Sequence, residues 1–178
     1  LSGHDLEVRV NRATGEGAQA LDWTAALDLD DEDNFGDALT VGPHDIDFTT
    51  EVLQASGRVD FDFFGFVAGG AEFVIEKRDV NVELDPADDD ANLTDAGLLT
   101  IGLSEVSLSI GVPSAGVKLQ GSGGAVVLAM LTPSDAADTR RWTAVSASLE
   151  AVSLVGVPGL TLSGSDLEVR VNRASGPA

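Results

Sequence analysis

Two short acidic runs hold the densest chemical functionality of this 178-residue chain. Asp28-Leu-Asp30-Asp31-Glu32-Asp33-Asn34-Phe-Gly36-Asp37 and Asp85-Pro-Ala-Asp88-Asp89-Asp90-Ala-Asn92 each end an alternating apolar stretch and enter a polar loop. Calcium takes about six to eight oxygen ligands, and closely spaced loop carboxylates are a ready source of them. The calcium candidates are therefore Asp28, Asp30, Asp31, Asp33 and Asp37, with Asp85, Asp88 and Asp90 as a second set. Neither run follows the EF-hand string Asp-x-Asx-x-Asx-Gly, because Phe35 stands where the third ligand belongs. The other reading is a solvated acidic loop in a chain that is acidic throughout. The residues leave both open.

Other chemistries find no constellation. His4 and His44 are the only imidazoles, and a second copy of the motif around His4 has Ser165 in its place, so neither reads as a base or a ligand. Cys is absent, which excludes thiol nucleophiles, thiolate–zinc sites and disulfides. No Gly-x-Ser-x-Gly elbow and no Gly-x-x-x-x-Gly-Lys loop occurs. The expectation is a protein that is not an enzyme, with no cofactor other than calcium.

The elements that must position the acidic loops alternate with period two. Val106, Leu108, Ile110 and Val112 alternate with small polar residues; so do Leu167, Val169 and Val171, and Val80, Val82 and Leu84. The same pattern covers Leu21 to Leu29, Ile46 to Val52 and Val59 to Phe63. Side chains on a strand point alternately to opposite faces, so each run predicts a strand with one wet face. Ala125 to Leu131, apolar on both faces, predicts a central strand. Gly111-Val-Pro-Ser-Ala-Gly116 and Gly156-Val-Pro-Gly159 predict tight reversals, hence antiparallel neighbours. Residues 14–20, 30–38, 86–97 and 132–140 read as longer polar connections. Phe61, Phe63, Phe64 and Phe66 are expected in the core, as are Trp23 and Trp142. The fold class that follows is all-β: an elongated antiparallel sheet or sandwich built from hairpins, with a β-solenoid as the alternative.

Leu1-Ser-Gly-His-Asp-Leu-Glu-Val-Arg-Val-Asn-Arg-Ala-Thr-Gly15 returns as Leu162-Ser-Gly-Ser-Asp-Leu-Glu-Val-Arg-Val-Asn-Arg-Ala-Ser-Gly176, with 13 of 15 positions identical. A fixed period marks repeat architecture. The chain reads as one repeat unit of about 161 residues plus a duplicated motif, residues 1–15 recurring at 162–176. A fainter repeat aligns 106–128 with 152–171, placing Trp142 and Trp23 in equivalent positions. Arg9, Arg12, Arg170 and Arg173 of the motif are expected to pair with carboxylates across strands or between units.

Composition bounds the partners. Ten Lys and Arg against 30 Asp and Glu give a net charge of −20, which repels nucleic acid and anionic lipid. A hydrophobic content of 43% suffices for a sizeable core, and no apolar run is long enough to span a membrane.

The strings Leu-Thr-Ile-Gly-Leu-Ser-Glu-Val-Ser-Leu-Ser-Ile-Gly-Val (99–112) and Ala-Val-Ser-Leu-Val-Gly-Val-Pro-Gly-Leu-Thr-Leu-Ser-Gly (151–164) resemble tandem repeats of very large bacterial exoproteins, often described as adhesin-like or calcium-binding. The likeness covers roughly residues 55 to 176 and transfers no catalytic residue. The Gly-Gly-x-Gly-x-Asp nonapeptide of calcium-binding β-rolls is missing. The resemblance implies an extracellular or cell-surface structural repeat, a spacer, stalk or filament unit whose partners are neighbouring copies arranged head-to-tail. Two alternatives stand beside it: a calcium-dependent module that binds a polysaccharide or a cell surface, and a lipid-binding β trough.

Overall fold

The computed structural model describes residues 1–15, 17–85, 92–112 and 116–176, which contain no helix. Nine strands follow one another: β1 (Ser2–Asn11), β2 (Leu39–Val41), β3 (His44–Ile46), β4 (Val52–Phe63), β5 (Val67–Val82), β6 (Leu93–Val112), β7 (Val117–Thr132), β8 (Arg141–Val155) and β9 (Leu162–Ser175). The chain divides into two compact units, Leu1–Glu7 with Ala55–Ala178, and Val8–Gln54.

Seven strands form one open antiparallel sheet in the order β1-β4-β5-β6-β7-β8-β9. From β4 onward sheet order follows chain order, as tight reversals demand. The turn expected at 156–159 joins β8 to β9; of the turn expected at 111–116, residues 113–115 lie outside the described residues, between the end of β6 and the start of β7. The solenoid alternative is overturned, since its coils need parallel crossovers and these neighbours are antiparallel. A two-stranded ladder, Leu39↔Ile46 to Val41↔His44, belongs to the smaller unit.

A line of irregularities crosses the larger sheet. Register shifts fall between Gly70 and Glu72 on β5 and between Leu103 and Val106 on β6. Left-handed backbone occurs at Glu105 (φ 51°), Gly123 (φ 66°) and Asp166 (φ 54°), and at Asp5 (φ 50°) on β1. The pairing brackets Gly123 with Glu150, and Glu150 with Asp166, so the line runs strand to strand. An extra residue in a strand restores the phase of its alternation beyond the bulge. Leu103 and Val106, an odd number apart, thus share a face. A side chain at Gly124 would collide with Val106 and Leu149, and one at Gly121 would lie 3.1 Å from the Leu149 side chain. One apolar face therefore continues through the line, carrying Leu99, Ile101, Leu103, Val106, Leu108 and Ile110 of β6.

The expected core is not there. Among the described residues only Ala71, Leu93 and Ala96 are buried apolar side chains, and no large side chain is fully enclosed. Among the described residues one sheet is the only layer of the larger unit, so each strand buries area against its lateral neighbours, through cross-strand pairs such as Leu128 with Ile101 and Val145. β7 is flanked on both sides, as a central strand should be, yet Val127 stays 56% exposed.

Four local expectations fail, the first being the strand read from Ile46 to Val52: β3 ends at Ile46 and β4 begins at Val52, with no strand between. Residues 21–29 form turns rather than a strand: Asp22 accepts from the Thr24 amide (3.0 Å) and hydroxyl (2.7 Å), and its carbonyl accepts from Ala25 and Ala26. Asp side chains that bond nearby backbone compete with a sheet ladder. Trp23 consequently sits in a turn, whereas Trp142 is on β8, so the two are not equivalent. Phe63, Phe64 and Phe66 are exposed at the β4–β5 reversal, because the chain turns there before a second layer can cover them. The connection expected at 86–97 is shorter than read, for β6 begins at Leu93.

Candidate functional site

The smaller unit organises the first acidic run through its own backbone. The Leu27 carbonyl accepts from the amides of Gly36 (2.7 Å) and Asp37 (3.0 Å), closing a loop over residues 28–35. Asp37 Oδ2 accepts from the Leu29 amide at 2.6 Å, and Asp28 accepts from the amides of Asp31 (3.0 Å) and Asp33 (3.1 Å). The result gathers Asp28, Asp30 and Asp37, each offering a carboxylate oxygen within 4.8 Å of the others. It is the one such acidic group among the described residues.

Asp31 and Asp33 do not join it. Both take left-handed backbone, φ 65° and 60°, and contribute amides to the loop in place of ligands. Asp85 lies at the exposed end of the β5 connection, outside the group, while Asp88 and Asp90 fall outside the described residues. Three anionic oxygens this close repel one another, and a hard cation would relieve that repulsion.

His4 Nε2 lies 3.7 Å from Asp60 Oδ2, half exposed, and His44 opens β3 in solvent. Of the four motif arginines, Arg9 pairs with Asp47 and stacks over Phe48, while Arg170 pairs with Glu168 on its own strand at 2.6 Å and not across strands as expected.

The duplicated motif supplies the other feature of functional interest. Both copies are strands, and they are the two edges of the seven-stranded sheet. Both bend at the same motif position, Asp5 and Asp166. Their surroundings differ. In the first copy Asn11 is buried; its amide donates to the carbonyls of Leu21 (2.9 Å) and Thr50 (2.8 Å), and its oxygen accepts from Trp23 Nε1 (3.0 Å). In the second copy the matching Asn172 is exposed and lines a groove of about 670 Å³ with Val127, Ala129, Ala144 and Arg170. The Asn11 hub was not foreseen from the sequence. Its only signal there is an amide at the position where the motif's alternation calls for another polar residue.

No protein-family model matches the chain, and no curated protein or solved structure matches it. The class is thus defined by the fold itself: an all-β chain whose larger unit is a single open antiparallel meander bounded on both edges by the same sequence.

Proposed function

We propose that this chain is a structural repeat, a spacer, stalk or filament unit of a much larger bacterial surface or secreted protein. One observation carries the reading: the two copies of the motif are the two edge strands of one sheet. A sheet that starts and ends on the same strand can be continued indefinitely by copies of itself, in the manner of repeat proteins whose units contact only their neighbours. The net charge of −20 keeps such an array hydrated and apart from nucleic acid. Its neighbours would be further copies, head-to-tail, outside the cell or on its surface. The direct test is the sequence of the gene on either side. Further copies at the 161-residue spacing support the reading, and unrelated flanking sequence removes it.

A second reading is favoured by the grouping of Asp28, Asp30 and Asp37. In it the acidic loop holds calcium, and the unit grips a polysaccharide or a cell surface in a calcium-dependent way. Isothermal titration with calcium chloride tests it; no saturable heat sinks it. The uncovered apolar face of the sheet is what the lipid-trough alternative would use.

A further inference from the structure

We infer that the last strand of one copy and the first strand of the next are the same strand, so that a following copy of this chain completes both the open edge of β9 and the hub around Asn172. The inference deepens the repeat reading and rests on it.

The two copies use opposite edges of one strand. β1 and β9 run in the same direction, since both are antiparallel to the end strands of the five-stranded run β4 to β8, and the ends of an odd-numbered antiparallel run point the same way. They also present the same faces. His4 meets Asp60, beside which Gly70 lies, and Gly70 pairs with Ser107. Ser165, the match of His4, pairs with Ala151 and through it with Ser122, on that same face. Direction and face being equal, the edge of β1 that meets β4 corresponds to the free edge of β9. An open edge is a row of unpaired N–H and C=O groups, and β9 offers one without a proline to block pairing. Residues that fit this edge already exist in the chain: β4 at Gly57 to Asp60, packed so close to His4, Asp5 and Leu6 that no Cβ fits at Gly57.

The side-chain surroundings agree. The side-chain hydrogen bonds of Asn11 go to residues that follow the motif, namely Leu21, Trp23 and Thr50. After the second copy those residues would belong to the next repeat. Asn172 is exposed, and Arg170 falls back on Glu168, where Arg9 has Asp47 and Phe48.

The test compares the 178-residue chain with a two-copy chain in which residues 16–178 are repeated after Gly176. In the single chain Asn172→Ala should leave the melting temperature unchanged. In the two-copy chain it should raise the unfolding constant about tenfold, as loss of a buried hydrogen-bonding amide does, and Asn11→Ala should do so in both. Backbone amides of Glu168 to Asn172 that face the open edge should exchange more slowly in the two-copy chain by a factor on the order of 100. A silent Asn172→Ala together with unchanged exchange overturns the shared strand. Should a variant fail to fold, exchange in the unsubstituted two-copy chain decides alone. The outcomes are separable from those of the repeat reading: independent beads would sink the shared strand and spare the repeat, whereas flanking sequence without copies would sink the repeat and leave the edge measurement valid.

Discussion

Trp23 donates its indole N–H to Asn11 Oδ1 at 3.0 Å, and this bond ties a turn of the smaller unit to the end of β1. The Asn11 amide then spans two carbonyls, Leu21 and Thr50, that no strand partner satisfies in its place. Asn11→Ala leaves these part-buried groups short of partners, and should cost about 1.4 kcal/mol, a tenfold rise in the unfolding constant. Asn11→Asp should cost more, because a carboxylate presents oxygen to two carbonyls. Urea denaturation of both variants checks the order; an aspartate variant as stable as the parent contradicts the assigned amide orientation.

Calcium should stabilise the smaller unit beyond what screening does. On the calcium reading, the group Asp28, Asp30 and Asp37 would hold the ion. With calcium at about 100 times its Kd, binding to the native state alone adds about 2.7 kcal/mol. Melting in calcium chloride is compared with sodium chloride of equal ionic strength. Asp30→Asn should abolish the difference while the loop stays closed, since Asp37 and Asp28 accept the other backbone bonds and an asparagine Oδ1 can still accept from the Glu32 amide, as Asp30 Oδ1 does at 3.3 Å. Identical melting in the two salts would identify the loop as solvated only.

Phe64 is 94% exposed and holds φ at 55°, a left-handed conformation that costs a bulky residue roughly 1 kcal/mol. Asn tolerates that conformation better. Phe64→Asn should therefore keep or raise stability by up to about 1 kcal/mol, and reduce self-association at the β4–β5 tip with Phe63 and Phe66. Thermal melts and light scattering read the two effects; a marked loss of stability would show that Phe64 is covered in solution.

The Asp138 carboxylate is held below the usual aspartate range, first by the side-chain hydrogen bonds from Arg140 and then by the Arg140 amide. A depressed folded-state pKa means stability that is present above the unfolded pKa and lost as pH falls through the folded one. The contribution should be constant at neutral pH and disappear only in the acid range below that of a free aspartate. Titration of the Asp138 carboxyl by NMR should place its midpoint below that of a free aspartate, and Arg140→Gln should raise it toward the free value.

Strand positions were legible where alternation was uninterrupted by side chains that compete for the backbone. Val59 to Phe63, Val106 to Val112 and Leu167 to Val171 are strands for the reason read in them. Leu21 to Leu29 shows the same alternation and is not, because Asp22 and Asp37 take the Thr24 and Leu29 amides that a ladder would need. The acidic candidates were legible as a set, but which of them converge was not: backbone handedness at Asp31 and Asp33 removes two of the five.

The sequence by itself determined the all-β class, the meander and the identity of the two motif copies, since period-two burial, Gly-Pro reversals and repetition are local properties of a chain. Tertiary structure alone decided the rest. Whether apolar alternation closes into a core depends on a second layer, and among the described residues of the larger unit none covers this sheet, so the expected interior gives way to an open face. That the copies are opposite edges of one sheet, and that Asn11 is buried where Asn172 is bare, depends on what folds beside each strand, a relation between residues far apart in sequence that no local pattern encodes.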